Sequence, residues 1–161
     1  MRTATIKEVR TELEHFSQKE LIDICLRLSK FKKENKELLT YLLFEANNEA
    51  NFIEDVKSEI DHLFEEINTK SFYFIKKSIR KILRTIKKYI RYSQKPETEI
   101  EILLYFCQKL NQFTPTIHQN RVLENLYIRQ VETIRKTVSK LHEDLQFDYN
   151  LELDELENIS S

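Results

Sequence analysis

The sequence predicts an all-α fold, and three features carry that prediction. The chain of 161 residues contains no glycine, its apolar residues recur at intervals of three and four, and its β-branched residues follow helical rather than alternating spacing. A soluble chain of this length carries roughly a dozen glycines. Glycine supplies the positive-φ conformations of tight hairpins, bulges and phosphate-cradling loops. Without it, the accessible architecture is helices joined by short polar links, with Asn or Asp taking the left-handed position at a helix end. The expectation is about seven helices, arranged as an irregular helical bundle or as an α-α superhelix of stacked helical hairpins. Hydrophobic residues at 40% and charged residues at 33% place the chain among folding sequences, not disordered ones.

The elements follow in order. Thr5-Ile6-Lys7-Glu8 reads as a capping box that opens a short first helix with Ile6, Val9, Leu13 and Phe16 on one stripe. Ser17-Gln18-Lys19-Glu20 is a second capping box, ahead of Leu21, Ile24, Cys25, Leu28 and Phe31. Lys32 and Lys33 suit the C-terminal end of that helix, where cations meet its partial negative charge. Asn35 is placed to cap a third helix through Leu38, Leu39, Leu42 and Leu43. The fourth stripe is Ile53, Val56, Ile60, Leu63, Phe64 and Ile67.

A long basic helix follows, with Phe72, Ile75, Ile79, Ile82, Leu83, Ile86 and Ile90 facing inward. Pro96 sits where a first-turn proline is tolerated. It opens a helix whose apolar residues Ile100, Ile102, Leu103, Leu104, Tyr105, Phe106, Cys107 and Leu110 point almost all the way round, which predicts the central, most buried helix. Thr114-Pro115 breaks the chain. The last helix carries Tyr127, Val131, Ile134, Val138, Leu141 and Leu145. Residues 1–145 therefore read as a single all-helical domain, and 146–161 as an acidic, frayed C-terminal tail. Cys25 and Cys107 each lie inside an apolar pattern and read as buried free thiols.

The short first helix, the run Phe16-Ser17-Gln18-Lys19-Glu20-Leu21-Ile22, then Leu26, Leu28 and Leu38-Leu39-Thr40-Tyr41-Leu42 together resemble the opening of an uncharacterised family of small all-helical bacterial proteins. The resemblance covers residues 4–45, and beyond them only the order of helices is similar. It implies a bacterial helical domain and transfers no activity or catalytic residue.

Several function classes are disfavoured. Phosphate loops and dinucleotide fingerprints both need glycine. No Cys/His spacing matches a zinc site. No apolar run reaches the length of a membrane span. The N-terminal stretch has no apolar signal segment, so the expected location is cytoplasmic. Glu12-x-x-His15 and Glu59-x-x-His62 match the Glu-x-x-His pattern of di-metal carboxylate bundles. At 100° per residue, however, each histidine falls about 140° from the centre of its own apolar stripe and points to solvent, where a bundle-core site would need it pointing inward. His118 and His142 read as isolated surface residues. No cofactor is implied.

Charge distribution is the strongest anomaly. Net charge is −1, but residues 1–69 carry −5, residues 70–95 carry +10 with no acid, and residues 96–161 carry −6. Lys76, Lys77, Arg80, Lys81, Arg84, Lys87, Lys88 and Arg91 fill the side of the basic helix away from its isoleucines, flanked by Tyr73, Tyr89 and Tyr92. Three readings compete. The preceding acidic helix (Glu49, Glu54, Asp55, Glu59, Asp61, Glu65, Glu66) lies antiparallel and covers these charges, with the acidic tail as a second cover. Alternatively they form a binding face for nucleic acid or another polyanion, or one for a membrane surface or an acidic protein. The sequence favours covering slightly. The leading function is a non-enzymatic protein-interaction module, with homo-oligomerisation among its modes. The alternative is a nucleic-acid- or polyanion-associated protein using residues 70–95, and a small helical enzyme is the third class.

Overall fold

The computed structural model describes residues 1–160 and is all-α: eight helices and no strand are present among the described residues. They are α1 (Ile6–Leu13), α2 (Gln18–Phe31), α3 (Lys33–Thr40), α4 (Glu49–Glu65), α5 (Phe72–Ser93), α6 (Pro96–Gln112), α7 (Arg121–Val138) and α8 (Glu143–Ser160). The expected single domain is instead two compact units, Met1–Phe44 and the chain from Glu45 onward. A π-helical turn, Tyr41–Glu45, carries the boundary. No helix is long and apolar enough to cross a membrane among the described residues.

In the N-terminal unit, both predicted capping boxes form. The Glu8 amide donates to Thr5 Oγ1 at 3.3 Å, and the Thr5 amide donates to Glu8 Oε2 at 2.7 Å. Ser17 and Glu20 repeat the arrangement at 3.2 Å in both directions. The Thr5 amide, the Thr5 hydroxyl and then Arg2 hold the Glu8 carboxyl below its ordinary pKa. The start of α3 differs from expectation. Its N-cap is Lys32, in extended backbone with no side-chain cap. Asn35 lies inside α3, where its Nδ2 donates to the Leu28 carbonyl at 2.8 Å and satisfies an orphan acceptor near the end of α2.

The second unit is a five-helix bundle built on α6. Pro96 opens α6, which buries Ile100, Ile102, Leu103, Leu104, Phe106, Cys107 and Leu110 and touches α4, α5, α7 and α8. Each such side chain contributes about 1.5–3 kcal/mol on leaving water. The Phe64 ring meets Phe106 edge-on at 5.9 Å. Helices α4 and α5 run antiparallel, since Glu49 lies beside Ser93 and Glu59 beside Tyr89. Asn48 and Asn120 cap α4 and α7 through their side chains. The α5 C-cap is Gln94, with φ 58° and ψ 13°, the left-handed position that glycine or Asn would ordinarily take.

Three expectations are corrected here. The single last helix is two, because the chain turns at Ser139–His142 before α8 begins. The segment from Gln146, expected to fray, is helical and buries Tyr149, Leu153 and Leu156 against α6 and α7. Asn111 Nδ2 ties the three together, donating to the Tyr127 hydroxyl at 3.1 Å and the Leu156 carbonyl at 3.2 Å. Finally, Cys107 is buried as expected, and burial pushes its thiol up to about 12, but Cys25 is exposed.

Candidate functional site

Two surfaces stand out, one in each unit. The first is the outer face of α5. This 22-residue helix contains eight basic residues and no acid. Its apolar side, Ile75, Ile79, Ile82, Leu83 and Ile86, is buried in the bundle. The basic residues must therefore lie opposite, and they do. Lys77, Arg80, Lys81, Arg84, Lys87 and Arg91 are exposed, while Lys76 and Lys88 are half-buried. Tyr73, Lys77, Arg80, Arg84, Lys87 and Arg91 follow one another at intervals of 4, 3, 4, 3 and 4. At 100° per residue they share an arc of about 80°. Of the three tyrosines expected to flank this face, only Tyr73 is open, at 65% exposure. Tyr92 is buried, and the Tyr89 hydroxyl donates to Glu59 at 2.7 Å.

The acidic cover that the sequence favoured is not there. Helix α4 packs antiparallel to α5 as expected, but against its apolar side. Glu49, Glu54 and Asp61 of α4 are paired away from the basic face. Asp61 accepts from the Tyr105 hydroxyl at 2.7 Å and pairs with Lys109 at 3.0 Å. Burial alone would raise Asp61, yet these two α6 partners outweigh it and hold its carboxyl below the ordinary value. Burial and the same Asp61 push the Tyr105 phenol up to about 12. Glu54 pairs with Lys57 at 3.3 Å. Glu49 accepts the Ser93 hydroxyl and, at 2.6 Å, the Thr98 hydroxyl, and it pairs with Lys95 at 3.3 Å. The α8 acids Asp154 and Glu157 meet Arg135 on α7. Among the described residues, Lys76, Lys77, Arg80, Lys81, Arg84, Lys87 and Arg91 form no ion pair.

The second surface is in the N-terminal unit, where none of α1, α2 or α3 contains a buried residue. On α2 the apolar residues from Phe31 round through Leu21 to Leu26 span about 220° of the circumference, more than one neighbouring helix covers. An open groove of about 220 Å³ runs between α2 and α3, lined by Cys25, Leu28, Leu38, Leu39 and Leu42. Further open hollows lie beside Ile6, Val9 and Leu13 on α1 and beside Ile24 and Phe31 on α2. Exposed apolar side chains in this unit, from Ile6 at 79% to Phe31 at 77% and Phe44 at 71%, leave on the order of 1,000 Å² in water. These residues lie on the stripes expected from their spacing, but the stripes stay open.

The remaining candidates are the histidines and a cleft in the second unit. His15 and His62 are exposed, and no group of three or more His, Cys, Asp or Glu residues is poised for a metal among the described residues. His118 is not the isolated surface residue expected. Its ring lies half-buried between Glu124 and Asn111, edge-on to Tyr127 at 5.5 Å. A cleft of about 620 Å³ lies beside Glu49, Lys57, Thr98, Glu101 and Tyr149. Within it the Tyr149 hydroxyl donates to Glu101 at 3.1 Å, and Lys57 approaches the same carboxylate at 3.7 Å. No family model, curated protein or solved structure matches this chain.

Proposed function

We propose that this chain is a helical protein-interaction module that associates with a second copy of itself through the N-terminal unit. The carrying observation is the open apolar surface of α1–α3. Soluble monomers seldom expose contiguous apolar patches above a few hundred Å². About 800 Å² per partner is the usual size of a stable interface, and this unit exposes a comparable apolar area. Its charges favour a like partner too. Residues 1–44 carry nine basic and seven acidic side chains, so two copies meet with little net repulsion. In a two-fold pair the same groove serves both chains, and each offers Leu28 and Leu42 to the other. An exposed, unpaired Cys25 suits a reducing, cytoplasmic setting.

Sedimentation equilibrium tests this. The expected result is a concentration-dependent mass reaching twice that of the chain. Leu28→Glu with Leu42→Glu places two charges in the groove and returns the protein to a monomer with unchanged helical circular dichroism. A monomer at all concentrations, or a dimer indifferent to both substitutions, contradicts the proposal.

A further inference from the structure

We infer that the outer face of α5 binds the phosphate backbone of a nucleic-acid duplex, without reading its sequence. This inference does not depend on self-association, since it rests on a different surface. The first observation is that the charge is available. Among the described residues, seven basic residues of α5 form no ion pair, while Glu49, Glu54 and Asp61 of α4 and Asp154 and Glu157 of α8 pair with Lys95, Lys57, Lys109 and Arg135 instead. Desolvating these cations therefore breaks no existing pair.

The second observation is geometric. From Lys77 to Arg91 the stripe is about 21 Å long, at 1.5 Å per residue. A duplex presents one negative charge per roughly 1.7 Å of axis, so a cationic rod lies against many phosphates at once. Arg80, Arg84 and Arg91 add forked donors that match phosphate oxygens in pairs.

The third observation separates a duplex from other anionic partners. A helix that lies in a membrane surface needs its apolar side free to enter the lipid. Here that side is the core of the bundle, with Ile75 and Ile79 at 0% exposure. An acidic protein surface offers scattered carboxylates, whereas the regular 3-4-3-4 stripe of cations suits a regularly repeating charge. The stripe carries no amide or carboxylate to read adenine or cytosine, and its arginines match phosphates and guanine edges alike, so comparison of unrelated sequences tests the inferred sequence independence.

The test uses the full chain and a fluorescent DNA duplex of two helical turns, with anisotropy read against salt. Binding in the micromolar range is expected at about 50 mM salt, weakening linearly in log–log form. Arg80→Gln with Arg84→Gln should lower the slope by about 1.8, at 0.9 per lost phosphate contact, and equally on unrelated sequences. Arg129→Gln with Lys140→Gln removes the same charge from exposed positions outside the stripe and should leave the slope unchanged. Circular dichroism confirms that both variants fold. The inference is overturned by any of three results: no binding at low salt, equal losses in the two double variants, or binding to polyglutamate or to phosphatidylcholine–phosphatidylserine vesicles as tight as to the duplex.

Discussion

In the C-terminal unit, α6 touches four other helices and Phe106 has no exposed surface. In the N-terminal unit, α2 is apolar over more than half its circumference and buries nothing fully. Both stretches are strongly amphipathic, both contain leucine, isoleucine and phenylalanine at helical spacing, and both have well-formed ends. The difference lies in the number of partner faces supplied. Five helices of 17 to 22 residues close around a shared centre, whereas helices of 8, 14 and 8 residues do not enclose one. Apolar patterning thus specifies that a face must be covered. It does not specify that the same chain covers it.

The largest effect that sharpens this contrast is in the core. Phe106→Ala should cost about 3–5 kcal/mol of unfolding free energy, and Leu153→Ala on α8 about 2–5 kcal/mol, because both side chains leave a cavity. Leu28→Ala in the N-terminal unit should cost under about 1 kcal/mol at concentrations below association, since that side chain is already half in water. Urea unfolding of dilute protein measures all three. A small loss for Leu153→Ala would return α8 to the status of a frayed tail, and a large one for Leu28→Ala would erase the distinction between the units.

A smaller effect concerns how a chain without glycine ends its longest helix. Gln94 holds a left-handed conformation that costs a side-chain-bearing residue roughly 1 kcal/mol. Its amide still donates to the Ile90 carbonyl at 2.9 Å, so the cap itself is intact. Gln94→Gly should therefore raise stability by about 0.5–1 kcal/mol, with no change in the N-terminal unit. Thermal or urea unfolding that shows a loss instead would mean the Gln94 side chain contributes more than its backbone costs.

What was legible in the sequence follows the range of the interactions involved. The boxes at Thr5–Glu8 and Ser17–Glu20 are closed within four residues, and both appear as read. The central place of α6 was legible because its apolar residues point in every direction, which only a surrounded helix tolerates. Helix α8 was missed because its acids dominate the composition. Its signal was the 4, 4, 3 spacing of Leu145, Tyr149, Leu153 and Leu156, and its burial depends on surface offered by α6 and α7. Asn35 looked like a cap from its position, but the preceding Lys32 breaks the helix through its backbone, freeing Asn35 to reach Leu28. The identity of the basic residues on α5 was legible, and their openness was not. Openness depends on the rotation of α4 about its axis, which turns Asp61 toward Tyr105 and Lys109 and leaves Lys77, Arg80 and Arg84 without it. Cys25 shows the same limit: an apolar neighbourhood in sequence became an open groove in space.

The proposal that the C-terminal unit is self-contained and the N-terminal unit is completed by a second copy is put to the test by the reactivity of the two thiols. Cys25 lines the open groove and Cys107 is buried, so a maleimide reports on the groove through Cys25 alone. Cys25 should label rapidly in dilute protein and slow progressively as concentration rises through the association range, while Cys107 stays unreactive throughout. A Cys25 rate independent of protein concentration, with Cys107 still protected, would contradict it.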